Sequence, residues 1–385
     1  MEVKQIYNLM NDVTTEILGG SVVINEDLSN IVDVGTAVFN SGSIDNYVRS
    51  LVNHIGKVIF VNRPYSGSVP SVLMDGWEYG AILEKIQAEM PAATENESWE
   101  LTDGASYDPN IFYKPNVSAK FFGEKRVTFE VPMSFLEKQV KESFSSAAQL
   151  NGFLSMLYNA IDKSMTVKVD ALVMRTINNM IGETIHSDFG SNSLSGGSGV
   201  KAVNLLYLYN DRYNKSLTAA DAVTDPDFIR FAAYVMGVYT SRLSKISTLF
   251  NIGGKDRFTP ANLLHVVMLS DFKKAANVFL QSSVFHDNFT RLPDSEIVPY
   301  WQGSGTTYGF SDISAINIKT ASGATVNASG ILGVMFDRDA LGVTNLDRRV
   351  TTNYNPKAEF YNNWYKFDAG YFNDGNENFV VFFAA

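Results

Sequence analysis

The chain has 385 residues, a formal net charge of −10 and no cysteine. This length suits two or three compact regions, and the lack of cysteine excludes disulfides and thiolate chemistry. No stripe of basic residues that would favour nucleic-acid binding is present. Neither a signal peptide nor an apolar run of about 20 residues is found, so we expect the chain to fold in a reducing cytoplasm.

The first third of the sequence predicts an arm followed by a long excursion. Residues 1–56 are interpreted as an irregular N-terminal arm that ends in a short amphipathic helix over 43–56. Strand-like segments at 57–65 and 125–133 enclose some sixty residues rich in Gly, Pro, Asn and acids. Because so long a loop needs internal order, the segment 57–133 is predicted to be an extended two-stranded loop.

One long helix is predicted for residues 147–181. Apolar residues recur at steps of three and four, and Gly182 stands where a terminating glycine is common. Such a helix would be roughly 50 Å long. The following "GSNSLSGGSG" (190–199) is typical of a flexible hinge or a loop tip.

Residues 196–340 alternate between helical and strand patterns. A helix is predicted to start at Pro226, with Asp225 and Asp227 favoured by its dipole, and a strand over 262–269 leads into a helix capped by Ser270. Further strands cover "ISAINIKT" and "GILGVMFDRDALGV". Asp337 and Asp339 flank Arg338 and are expected to share ion pairs with it.

The end of the chain is unusually aromatic. Eleven Phe, Tyr or Trp lie between Tyr354 and Phe383, whereas aromatic residues make up 12% of the chain. Such a terminus is expected to be a buried strand pair, joined by the turn "NDGNEN". The predicted core residues are Phe360, Tyr361, Trp364, Tyr365, Phe379 and Phe382.

No group of residues supports catalysis. The four histidines are dispersed, and neither a phosphate-binding glycine loop nor a nucleophile elbow occurs, so we predict no enzyme, no metal site and no cofactor. Two small basic clusters are interpreted as ion-pairing surfaces between subunits: Lys120, Lys125, Arg126, Arg338, Arg348 and Arg349.

Four stretches together resemble tailed-phage major capsid proteins of the Hong Kong 97 (HK97) type, and most closely those of phi29-like short-tailed phages. They begin "VDVGTAVFNSG", "FLEKQVKESF", "LLHVVMLSDF" and "GVMFDRDALGV", and they cover about a third of the chain in matching order. The resemblance implies an α+β fold: the arm, the extended loop, a peripheral domain over 134–195 with the long spine helix, an axial domain over 196–340, and return strands of the peripheral domain over 341–385.

The resemblance also implies a function. It predicts a major head protein that self-assembles into hexamers and pentamers of an icosahedral or prolate shell in the host cytoplasm. Expected partners are further copies, a separate scaffolding protein, the portal and other head proteins, and packaged DNA through non-specific contact only; no membrane partner and no removal of the amino terminus are expected. The alternatives are an encapsulin-type shell around a protein cargo and a tail or fibre component.

Overall fold

The computed structural model describes residues 11, 69–74, 83–91, 93, 95, 102–106, 110, 112, 114, 117–122, 126–136, 147–190, 194–282, 292–302 and 309–385. The predicted helix over 43–56, the strand over 57–65 and nearly all of the predicted arm therefore lie outside the described residues.

Six α-helices are found in the described part of the chain. They are α1 (Ala147–Phe189), α2 (Leu205–Tyr213), α3 (Ala219–Ala222), α4 (Pro226–Leu243), α5 (Ser270–Ser282) and α6 (Phe310–Ile313).

The same ranges contain thirteen strands. They are β1 (Leu73–Met74), β2 (Leu83–Ala88), β3 (Val117–Phe122), β4 (Arg126–Leu136), β5 (Ala202–Asn204), β6 (Leu264–Leu269), β7 (Glu296–Val298), β8 (Ile316–Lys319), β9 (Thr325–Ala328), β10 (Ile331–Asp337), β11 (Leu341–Asn355), β12 (Phe360–Asn373) and β13 (Phe379–Phe383).

The chain divides into two compact units. The first comprises Met1–Glu78, Arg126–Thr176 and Gly342–Tyr371, and the second comprises Tyr79–Lys125, Ile177–Leu341 and Phe372–Ala385. Three of the boundaries thus fall inside elements, namely α1, β11 and β12.

The first unit contains a four-stranded sheet in the order β1-β11-β12-β4. Strands β12 and β4 pair antiparallel over eleven positions, from Phe360 opposite Leu136 to Gly370 opposite Arg126. On α1, Ile161, Met165, Val169 and Leu172 are buried, and their spacing of three and four places them on one helix face. The Arg175 guanidinium lies 4.8 Å from the centre of the Tyr371 ring, which fixes a contact between α1 and β12 within this unit.

The second unit contains a five-stranded sheet in the order β5-β13-β10-β6-β7. Helices cover both faces of its centre. Tyr239 of α4 packs edge-on against Phe382 at 5.3 Å, and Phe189 of α1 packs edge-on against Phe383 at 5.8 Å. Neighbouring residues of a strand point to opposite faces, so these two contacts explain why "FVVFF" is apolar throughout.

The long helix is confirmed, but its predicted end at Gly182 is wrong. The helix continues for two further turns, and Gly190 ends it with a φ of +60° and an N–H that donates to the His186 carbonyl at 2.8 Å. Gly182 instead allows close packing, because a Cβ there would lie only 3.1 Å from Ile318. The glycine thus marks a helix crossing β8 rather than a helix end.

The sequence predicted that the last strands lie in one domain, but they belong to different units. Strand β12 up to Tyr371 belongs to the first unit, whereas Phe372–Ala385 belong to the second, where β13 pairs with β10 and β5. An apolar strand fits either sheet by its pattern alone, so the assignment of 341–385 to one peripheral domain was too coarse.

The six predicted core residues differ in burial. Tyr361, Tyr365, Phe379 and Phe382 are buried, but Phe360 and Trp364 are half-buried. The reason is the alternation of β12: the face that carries Tyr361 and Tyr365 is covered, while the opposite face of the single chain is only partly covered. The prediction that Phe360 and Trp364 are core residues is therefore wrong for the single chain.

The segment expected to be a hinge is ordered where the structure describes it. Residues 194–196 form a turn of 3₁₀-helix, and Asp188 accepts hydrogen bonds from the backbone N–H groups of Lys201 and Ala202 at 2.7 and 2.9 Å. An ion pair of 2.7 Å between Lys201 and Asp188 adds to this anchor. Small polar residues serve here to let the chain approach the end of α1 closely.

Candidate assembly surfaces

Strands β2 and β3 form a two-stranded antiparallel sheet with two different faces. Lys85 lies opposite Lys120, and Ile86 lies opposite Ala119. The outer face therefore presents Ile86, Ala88, Val117 and Ala119, of which Ile86 and Val117 are 64% and 61% exposed. The other face carries the lysines and Gln87. Two strands within the predicted excursion thus pair with each other, while an extended loop over the whole of 57–133 remains a prediction.

The lysine face is bound to the turn between β12 and β13. Lys85 Nζ lies 2.6 Å from Glu377 Oε1 and 3.1 Å from Asp374 Oδ2, and Lys120 Nζ lies 2.8 Å from Asp374 Oδ1. The two carboxylates are nearly inaccessible, at 1% and 7% side-chain exposure, so they depend on these cations for compensation.

An arginine completes the group. Arg257 Nε lies 3.2 Å from Glu377 Oε1, and Arg257 also donates to the Gln87 side chain, which itself donates to Glu377 at 2.8 Å. Lys85, Lys120, Arg257, Asp374 and Glu377 are called the lysine–carboxylate cluster below. The cluster anchors β2 and β3 to the unit that contains them.

The contacts of Asp374 in this cluster change the pKa of its carboxyl. Burial by itself would raise the pKa of the Asp374 carboxyl, but the hydrogen bond from Lys120, that from the Asn376 N–H and the charge of Lys85 outweigh it. The pKa therefore lies below its ordinary value. Since the folded-state pKa is lowered, the ionised carboxylate stabilises the fold above its ordinary pKa of about 3.9, and this contribution is lost as the pH falls through the lower folded-state value.

We expect Asp374→Asn to lower the free energy of unfolding by about 2 kcal/mol at pH 7, because a charged acceptor is lost while Lys85 and Lys120 remain. The difference from the wild type should shrink as the pH falls below the ordinary aspartate pKa of about 3.9 and through the lower folded-state value, because the wild-type carboxyl then becomes neutral as well. Urea unfolding of unassembled subunits between pH 3 and 7 measures both effects. The matched control is Glu89→Gln, which removes an exposed pair with Lys255 and should cost less than about 0.5 kcal/mol. A difference that does not change with pH would contradict this account.

Sequence reasoning missed the lysine–carboxylate cluster. It correctly treated "NDGNEN" as a turn, with the Asn376 N–H donating to Asp374 at 3.0 Å, but it gave the turn no partner. The members of the cluster are up to 292 residues apart. The one available signal is the direct opposition of two lysines, which is unfavourable unless carboxylates lie nearby, and it appears only once the register is known.

The six basic residues assigned to subunit contacts are found in different settings. Lys120 and Arg349 pair within the same chain, the latter with Asp368 at 2.9 Å. Arg338 is exposed in a short 3₁₀-helix (Arg338–Ala340). Lys125 lies outside the described residues, as do the side chains of Arg126 and Arg348. The structure brings none of the described members of this set together.

An ion pair between Asp337 and Arg338 was expected from the sequence, but the structure gives Asp337 other partners. It is buried, and its carboxylate accepts hydrogen bonds from the Thr259 hydroxyl at 2.8 Å and from the Asp339 N–H at 2.9 Å. Burial raises the pKa of this carboxyl, and these hydrogen bonds only partly offset it. Asp337 therefore caps the 3₁₀-helix. Asp225 lies at the start of α4 as predicted, and the structure adds that it caps the helix by accepting from the Phe228 N–H at 2.7 Å.

The described residues contain no helix long and apolar enough to cross a membrane, and no group of three or more His, Asp or Glu placed to hold a metal ion. The described residues offer instead an anchored two-stranded sheet with exposed apolar residues on its outer face, a feature suited to contact with another protein.

Comparison with known proteins agrees with this description. The model of the family "Phi29-like phage major capsid protein" matches residues 8–383. A chain in the capsid structure of Staphylococcus phage Andhra has a TM-score of 0.50 at 11% identity, with 84% of this chain and 86% of that chain covered. A chain in the structure of the head fiber and inner core protein gp22 of native bacteriophage P68 has a TM-score of 0.50 at 9% identity, with 85% and 86% covered.

No curated protein matches the sequence. At these identities the two solved structures show a shared fold, and the family model, which spans almost the whole sequence, supplies the function. The resemblance noted from the residues is thereby confirmed. The chain belongs to the phi29-like phage major capsid proteins, and it is the protein that forms the shell of the phage head.

Proposed function

We propose that this chain builds its shell as hexamers and pentamers in which the outer face of β2 and β3 packs against a neighbouring subunit. The observation that carries the proposal is the combination of an anchored inner face and an exposed apolar outer face. Ile86 and Val117 are more than half exposed, although Lys85 on the adjacent position is held by two carboxylates. An apolar face that is held rigid and left uncovered is typical of a surface that binds a partner.

Repetition of this contact would generate a closed assembly. A contact between two different surfaces of identical subunits continues around an axis until the ring closes. Each contact can be modest, because the shell repeats it in every subunit. The alanines opposite and beside Ile86 keep the face flat, so a neighbouring backbone can approach closely.

We expect Ile86→Asp to leave the subunit folded and to prevent shell formation. A carboxylate on the outer face would be desolvated without a partner on assembly, whereas in the free subunit it stays in water. The measurement is the yield of closed shells by electron microscopy after expression with the neighbouring head genes, with the melting temperature of the free subunit as the folding check. Ile86→Val is the matched control and should form shells at the wild-type yield. Normal shells from Ile86→Asp would contradict the proposed interface.

The remaining partners belong to the same proposal. The same subunit contacts could close into shells of several sizes, so a separate scaffolding protein would have to supply the curvature during assembly in the host cytoplasm. The portal and other head proteins would join the shell, and Arg338 and Arg348 are proposed to pair with acids of neighbouring subunits. Packaged DNA would meet the acidic chain only through weak, non-specific contact.

We also propose that the chain has no catalytic role. The sequence lacks a constellation of nucleophile, base and orienting group, and the family to which it belongs is structural. The family model supports a phage shell over the two alternatives considered from the sequence, a protein-cargo shell and a tail or fibre component.

A further inference from the structure

A cavity of about 460 Å³ opens between α2 and α4 in the second unit. Its floor is formed by Tyr209 and Phe231, which are only 4% and 6% exposed. Its rim carries Tyr213 and Tyr234, which are 50% and 59% exposed. The cavity is called the tyrosine–arginine pocket below; its remaining lining residues are Arg212, Lys215, Asp227 and Arg230.

The walls of the pocket are held in place by ring contacts. Tyr213 packs 5.0 Å from Tyr209 and 6.0 Å from Phe231, measured between ring centres. The Arg212 guanidinium lies 5.7 Å from the Tyr213 ring and 5.9 Å from the Tyr234 ring. Exposed tyrosines around a positioned arginine are the composition that contributes most to binding at protein interfaces. Removal of water by a partner would strengthen the arginine–ring attraction further.

The pocket is positively charged on an acidic protein. Arg212, Lys215 and Arg230 line it, and Asp227 is the acid among the lining residues, where it pairs with Arg230 at 2.9 Å. Outside the lining, Asp225 lies near the floor: burial, then Asp225, then Asp227 raise the pKa of Tyr209. Among the lining residues, three positive charges and one negative charge leave a local charge of +2, whereas the whole chain carries −10. The pocket therefore favours a partner segment that carries carboxylates.

The chain itself contains such a segment, which covers the end of β2 and most of the connection to β3. Residues 86–113 include six acidic residues and no Lys or Arg: Glu89, Glu95, Glu97, Glu100, Asp103 and Asp108. This stretch alone accounts for −6 of the net charge. Glu95 and Asp103 are exposed, and neither lines the pocket of its own chain.

We propose that the acidic stretch 86–113 of one copy docks on the tyrosine–arginine pocket of another copy. The inference rests on the proposed function, in which the same excursion meets a neighbouring subunit, and it names the surface that receives its tip. Charge complementarity selects the partner: carboxylates bind Arg212 and Lys215, and apolar or aromatic side chains of the stretch pack on the tyrosine rim.

Carbodiimide cross-linking of assembled shells tests the proposal, because it joins a lysine amine to a carboxylate in direct contact. A link between Lys215 and another copy produces covalent dimers on a denaturing gel, and digestion of the dimers identifies the acid. We expect the acid to lie within residues 86–113, and we expect no such dimers from unassembled subunits. Lys215→Arg keeps the charge but removes the amine, so it should form normal shells without these dimers.

Charge reversal provides a second readout. Arg212→Glu should reduce the yield of shells at least tenfold while the free subunit melts normally, and Glu95→Lys with Asp103→Lys in the same chain should restore part of the yield. Lys245→Glu, at an exposed position outside the pocket, is the matched control and should have no effect.

Three outcomes would overturn the inference. Lys215 could be joined only to acids outside residues 86–113, or Arg212→Glu could form shells at the wild-type yield. Residues of the pocket could also cross-link to DNA in DNA-filled particles and form no link to another copy, which would show that the pocket binds nucleic acid. If Arg212→Glu forms normal shells while Ile86→Asp does not, the docking site is wrong and the proposed interface of β2 and β3 stands.

Discussion

Replacement of Phe382 by alanine is expected to lower the free energy of unfolding by roughly 3 to 5 kcal/mol, since a fully buried ring is removed from a sheet that is covered on both sides. Phe382 is 0% exposed, lies opposite Gly333 in the antiparallel pair of β13 and β10, and packs on Tyr239 of α4. The surrounding strands cannot collapse onto the space, because β13 is held on both edges by β5 and β10.

Urea unfolding of the unassembled subunit measures this loss. The comparison variant is Trp364→Ala, which removes a larger ring from a half-buried position and should cost less in the free subunit. A Phe382→Ala protein that unfolds at the wild-type urea concentration would show that β13 contributes little to the core.

Shortening the excursion is expected to abolish shells without unfolding the subunit. Residues 93–113 would be replaced by a short Gly-Ser linker, while β2, β3 and the lysine–carboxylate cluster are kept. Because the anchoring contacts of Lys85 and Lys120 are retained, the free energy of unfolding should change by no more than about 0.5 kcal/mol. The yield of closed shells should nevertheless fall below detection, since the acidic stretch is lost from every subunit contact.

Electron microscopy of particles and melting of free subunits separate the two effects. A linker of the same length as the natural segment but without acidic residues is the matched control for geometry. If the contact depends on charge, this variant should also form no closed shells. A shortened protein that no longer folds would show that the segment belongs to the core of its own subunit.

The structure of the excursion differs from the sequence prediction in ways that the local sequence could not have indicated. The sequence predicted strands at 57–65 and 125–133, but the paired strands of the excursion are Leu83–Ala88 and Val117–Phe122, and the predicted strand at 125–133 corresponds to β4, which pairs with β12. The lysine–carboxylate cluster is an attachment to the same chain, formed by residues from three distant segments. Local patterns report which face of a strand is apolar, but ion pairs between distant segments depend on the complete fold.

Helix α1 and strand β13 also show features that local sequence patterns cannot determine. The start of α1 at Ala147 was predicted from periodicity and capping, whereas its end was misplaced because a glycine can serve tight packing as well as termination. The pattern of β13 predicted a strand buried on both faces, and the structure confirms it, but the same pattern fits any central strand. Which sheet receives the strand is decided by partners more than 40 residues away, since β10 begins at Ile331.

The interior position of β13 has a consequence for synthesis on the ribosome. β5 and β10 flank β13 in the sheet, yet both are complete long before Phe379–Phe383 is translated. Until then β10 keeps an open edge, and an open apolar edge readily pairs with other chains. A chain interrupted before residue 379 therefore cannot close its central sheet, however complete its other elements are. Such placement couples the folding of this unit to the translation of residues 379–383, so that subunits truncated before them are exposed to proteases and chaperones rather than added to a growing shell.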